Sequence, residues 1–299
     1  MTATMPAEPI DQDSARHPAT GDLPLRRPGG LGAAGVMYGA IFATSFRDQL
    51  AYAGQLALRG LFLAMILFVF LQLWRATYEA QGTGAGGTLG GFTIAQMLWY
   101  LALAESIILS RPRITLEIDR EVRTGEIAYV LLRPYGYAGY RLARYLAERL
   151  LRFGICLALG TALALLYVGP VPLSPPSLAA ALVALALALL LDFLAMLGIG
   201  LLAFWVEDTT SITLLYDRLV MLLGGMMLPL DVFPEPIATV ARALPFSQLV
   251  YGPARLALSS TPQELAPLLL RQVVALAVTG LLVHRLHAAA FHRIHSNGG

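Results

Sequence analysis

Lysine is absent from this 299-residue chain: all 21 basic residues are arginine. The phosphate-binding loop of P-loop NTPases needs a lysine after its second glycine, so that route to ATP hydrolysis is closed. Cysteine is nearly absent. Cys156 stands alone inside an apolar run, which excludes an internal disulfide and reads as a small buried apolar residue. Charge is scarce as well: 13% of residues are charged, against roughly 25% in soluble domains. With a net charge of +2 and no basic block, nucleic acid is not an expected partner. No Ser/His/Asp, Cys/His or paired-carboxylate arrangement stands out. What is abundant is apolar: 57% of the chain is hydrophobic, mean hydropathy is +0.65, and the excess comes in long blocks. That combination is the mark of transmembrane helices.

The expected fold is an all-α integral membrane protein. Residues 1–30, rich in Pro, Gly and acidic side chains, read as a disordered cytosolic tail. Residues 35–54 read as an amphipathic helix lying along the membrane, with Val36, Ala40, Phe42, Ala43, Phe46 and Leu50 on its apolar face. Six spans follow, at about 56–74, 92–109, 145–168, 178–205, 211–230 and 265–286. The fifth is broken near Gly224 and Gly225, and the proline-punctuated stretch after it reads as half-helices. Residues 288–299 form a basic tail holding His292 and His295; the pairs His284/His287 and His292/His295 lack an acidic or cysteine companion, so no metal site is expected.

The arginines set the orientation. With the N-terminus inside, only Arg75, Arg242, Arg255 and Arg271 lie outside. Both termini are therefore expected in the cytosol of a multi-pass protein of the cell (inner or cytoplasmic) membrane.

Residues 111–134 are the richest in charge. Ile114, Ile118 and Val122, spaced by four, make one apolar stripe on a charged helix. Gly125 suits the end of that helix, and a second short helix starts at Glu126 and stops before Pro134. A striped helix outside the membrane either docks into a groove of a partner protein or rests on lipid.

The run Arg123-Thr124-Gly125-Glu126-Ile127-Ala128-Tyr129-Val130-Leu131-Leu132-Arg133-Pro134 resembles a signature that follows the second span in one branch of the ATP-binding-cassette type-2 permeases. Met227 to Pro234, the following Leu244-Pro245-Phe246, and Trp74 to Tyr78 are similar to other stretches of that branch. The resemblance covers about 36–286. It implies a permease subunit of an ATP-driven exporter, with six spans after a membrane-parallel helix and extracellular half-helices before the last span. It implies two ATPase subunits as partners, which carry the ATP and Mg, and a second permease, identical or related. Within membrane lipid, these two permeases would form the path. This chain would bind no cofactor itself. The resemblance assigns coupling to the ATPase to Ile114, Ile118, Glu121, Val122, Arg123, Gly125 and Glu126.

Ionisable groups within spans mark a pathway or a helix contact, because each is expensive in hydrocarbon. Glu105, Asp192, Asp217 and Arg218 are the candidates, with Asp217 and Arg218 expected to pair and Glu148 expected to pair with Arg144 or Arg152. Two other functions stay open on the residues. One is a membrane-embedded enzyme acting on lipid through Asp119, Glu121, Arg123 and Glu126. The other is a secondary transporter with Asp192 or Glu105 as proton carrier, although no internal repeat is visible.

Overall fold

The computed structural model describes residues 31–51, 54–82, 87–133, 135–259 and 262–297. The expectation of a disordered tail at 1–30 lies outside these residues. Eleven α-helices make up the described chain, and no β-strand occurs among the described residues beyond an isolated bridge between Leu89 and Phe92. In chain order they are α1 (Leu31–Ala51), α2 (Gly54–Ala80), α3 (Ile94–Leu109), α4 (Ile114–Arg123), α5 (Glu126–Leu131), α6 (Tyr137–Val168), α7 (Pro175–Leu201), α8 (Thr210–Leu223), α9 (Glu235–Ala243), α10 (Tyr251–Ser259) and α11 (Pro262–Asn297).

Among the described residues, four helices are long and apolar enough to cross a membrane by length and composition: Gly60–Ala80, Tyr137–Val168, Pro175–Phe204 and Leu265–His292. The other two apolar stretches are shorter. α3 has 16 residues and α8 has 14, rising about 24 and 21 Å where a hydrocarbon core is about 30 Å thick. α3 starts abruptly because Thr93 and Gln96 form a reciprocal capping box. α8 stops at Leu223, where Gly224 and Gly225 turn the chain back and the Tyr251 amide donates to the Gly224 carbonyl.

α7 is the central post. Half of its most apolar window is buried, against 11% for α11. α7 packs against α11, α10, α4 and α8, while α6 holds α1, α2 and α3. The apolar exteriors of α2 (Leu61, Met65, Val69) and α11 (Leu270, Val274, Leu281) stay exposed on the single chain. Such a surface belongs in lipid or against another subunit.

α1 lies along α6. Phe42 and Phe46 stack at 5.9 Å and are half-buried, and the Tyr38 hydroxyl accepts from the Gly136 amide. Of the face expected to be apolar, Val36, Ala40, Ala43 and Leu50 point away from the bundle. The contact face instead runs through Tyr38, Ile41, Phe42, Ser45 and Gln49. The reason is that α1 is apolar nearly all round, so periodicity alone does not choose a side.

Candidate functional site

Two polar assemblies lie at one end of the bundle, where α3 gives way to α4. The first is the α4–α5 elbow. Gly125, with φ 75°, ends α4 in the left-handed conformation that glycine adopts freely and opens α5 at an angle. The apolar stripe on α4 faces inward, opposite to what a docking stripe requires. Ile114 and Ile118 are buried, and Val122 packs half-buried on the same core. Ile118 lies directly over Gly200 of α7, where even a methyl group would come within 2.9 Å of its Cβ. The stripe is thus consumed by this chain's own bundle.

Polar contacts fasten the same helix. Arg141 of α6 donates to Glu117 at 2.9 Å and ion-pairs with Glu121, whose carboxylate also accepts from the Tyr137 hydroxyl. Asp119 accepts from the Thr209 amide and hydroxyl at the start of α8, and from Arg123 at 2.6 Å. Glu121, like Asp119, is therefore buried structural scaffolding. Beside this junction, two hydrogen bonds from Thr210 hold the Asp208 carboxyl below its usual range. What the elbow presents outward is Arg120, Arg123, Thr124, Gly125, Glu126, Tyr129, Leu132 and Arg133. Tyr129 is 74% exposed and Leu132 67%, an apolar pair that the spacing of α4 gave no reason to single out.

The second assembly centres on Asp192 of α7. Its carboxylate accepts from Arg111 at 2.8 and 3.2 Å, from Arg149 at 2.7 Å, from the Tyr145 hydroxyl at 3.0 Å and from the Tyr216 hydroxyl at 2.9 Å. Arg149 also donates to the Ile107 carbonyl at the end of α3, where helical carbonyls lack partners of their own. Arg111 reaches Asp217 of α8 at 2.7 Å. One carboxylate thereby ties α6, α7, α8 and the α3–α4 turn together. Asp217 pairs with Arg111 rather than with Arg218, because α8 turns the two neighbours to different sides. Arg218 is exposed with no partner among the described residues. Glu148 pairs with Arg152, while Arg144 leans towards Glu117 at 3.8 Å.

Glu105 differs from the other carboxylates. It is 3% exposed and has no ion-pair or hydrogen-bond partner among the described residues. It lines a cavity of about 610 Å³ between α2, α3, α4, α7 and α8, together with Phe62, Met196, Met221 and Arg218. The buried Thr115 hydroxyl lines the same cavity, also without a partner among the described residues. At the opposite end of the bundle, Asp231 accepts from Tyr251 and pairs with Arg242 and Arg255. Burial and that carboxylate push the Tyr251 phenol up to about 12.

The exposed elbow, the buried ionic hub at Asp192 and the cavity lined by Glu105 fit a membrane transporter better than an enzyme. The lipid-enzyme alternative needs Asp119 and Glu121 accessible, and both are buried and paired. Comparison with curated proteins finds no match. The sequence profile of the ABC-2 family transporter proteins matches residues 62–298. This multi-pass membrane protein belongs to the ABC-2 transporter family, as a transport permease.

Proposed function

We propose that the chain is one of two permease subunits of an ATP-driven exporter and that the α4–α5 elbow receives force from a separate ATPase, which binds the ATP and Mg. The observation that carries this reading is the elbow's construction. Its inner face is bolted to α6, α7 and the start of α8 through Ile118, Arg141, Asp119 and Thr209. Its outer face offers Tyr129, Leu132 and a set of charges to a partner. A push on a part so fastened moves the spans and does not merely bend a loop, and the transporter switches only if the ATPase contacts differ between two states.

In this reading α3 and α8 are the second and fifth of six spans, both termini are cytosolic, and the protein sits in the cell membrane. A second permease copy, identical or related, covers the α8 flank. Arg218 supports that arrangement: a guanidinium half-way along an apolar helix, with no partner among the described residues, is costly against lipid and is accommodated at a subunit interface or an aqueous path. Glu105, Thr115 and the cavity they line belong to the path, whose apolar walls suit an amphipathic or lipid-like substrate.

The test is co-purification with candidate ATPases. Tyr129→Ala combined with Arg120→Glu changes only exposed positions, so folding is expected to stay within about 0.5 kcal/mol of the wild type. ATPase retention is expected to fall about tenfold or more. Unchanged retention, or transport that continues with no ATPase in the membrane, overturns the proposal.

A further inference from the structure

A second cavity, of about 700 Å³, opens on the opposite half of the molecule, between α9, the 3₁₀ turn Pro245–Gln248 and α11. Its wall along α11 is apolar: Leu270, Val274 and Val278 are all more than half exposed on a spanning helix. Its lining carries two guanidiniums, Arg242 and Arg271, and no carboxylate among the described residues. Arg242 is steadied from behind by Asp231 and Glu235, each at 3.5 Å. Arg271 is exposed and has no partner among the described residues. The Gln248 side chain, 3% exposed, also lines the cavity, and its Oε1 is buried without a hydrogen-bond partner among the described residues.

We propose that this cavity is a binding site for one anionic phospholipid of the surrounding bilayer, its phosphate held by Arg242 and Arg271 and its chains laid along α11. Three features select that occupant. The two arginines attract a phosphate, which a guanidinium matches in geometry as well as charge. From Arg271 to Thr279 the lining runs about 12 Å along the helix axis, so a charged rim and an apolar floor are stacked in the order of a headgroup and its acyl chains. The orphan Gln248 oxygen is an acceptor suited to a hydroxylated headgroup such as glycerol. A soluble anion satisfies the rim and leaves the floor empty. The site depends on α11 crossing the membrane and not on ATPase coupling, so the two proposals fail separately.

The experiment uses the full chain purified in detergent, with retained lipid counted by native mass spectrometry. The probes are dioleoyl-phosphatidylglycerol, dioleoyl-phosphatidylcholine and inorganic phosphate. The expected result is one phosphatidylglycerol held about tenfold more tightly than phosphatidylcholine, with no displacement by inorganic phosphate. R271Q, which removes no hydrogen bond or ion pair among the described residues, is expected to erase that preference. V274W, at an exposed position, is expected to block both lipids by filling the floor. Equal retention of the two lipids, an unchanged preference in R271Q, or displacement by inorganic phosphate alone overturns the site.

Discussion

Asp192 gathers side chains from α6, α8 and the α3–α4 turn onto one buried carboxylate. Its carboxylate is 2% exposed and faces two guanidiniums and two phenols. Removing one partner from a buried ionic group leaves the others uncompensated, which costs about 3–5 kcal/mol, far more than the pair itself contributes. Asp192→Asn is therefore expected to lower stability by that amount in thermal unfolding. Asp217→Asn removes a carboxylate whose side chain is 45% exposed and is expected to cost about 0–1 kcal/mol. Equal losses in the two variants contradict the hub. A lone carboxylate in an apolar run is visible in the sequence, so Asp192 was legible as a residue of consequence. Its partners were not, because they lie 24 to 81 residues away and no local spacing pairs them. The expected pairing of Asp217 with Arg218 failed for the same reason: adjacency in sequence puts two side chains about 100° apart on a helix.

At the scale of elements, the seam between α4 and α7 joins the elbow to the central helix. Gly200 is small because Ile118 occupies the place its side chain would take. Gly200→Ala is expected to destabilise the protein by about 1–3 kcal/mol through overpacking. Ile118→Ala in the same chain is expected to recover part of that loss, as residues in direct contact do in a double-mutant cycle. Strict additivity of the two changes means the seam is not packed as described. Periodicity identified the stripe Ile114, Ile118, Val122 but not its direction. An apolar face tells that something covers it; whether the cover is the chain's own α7 or another protein depends on tertiary packing. The same limit applies to α1, where an apolar surface on all sides hid the contact face. Helices themselves were easy to read, since each of the six apolar stretches falls on one, although the fifth, expected at 211–230, is helical only as far as Leu223.

At the scale of the whole molecule, composition alone pointed to a multi-pass membrane protein, and the arginine-glycine-proline run after α3 pointed to its family; the family match bears out both. The number of spans is less legible because α3 and α8 are short, and a short helix crosses only when neighbours or a thinned bilayer accommodate it. A second permease copy is expected to cover the α8 flank. Light scattering on the purified chain should give a dimer mass, and Arg218→Glu, exposed on that flank, should shift the population towards monomer. A stable monomer of the wild-type chain argues against the pairing.

The force-receiving role proposed for the elbow requires it to stand on the cytosolic side, where a partner ATPase would bind. The protein's single cysteine, Cys156, is buried, so Cys156→Ser provides a clean background and the exposed Thr124→Cys a reporter beside Gly125. A membrane-impermeant maleimide is expected to label that cysteine in inverted vesicles and to leave it unlabelled in intact cells. Labelling from outside intact cells contradicts the account.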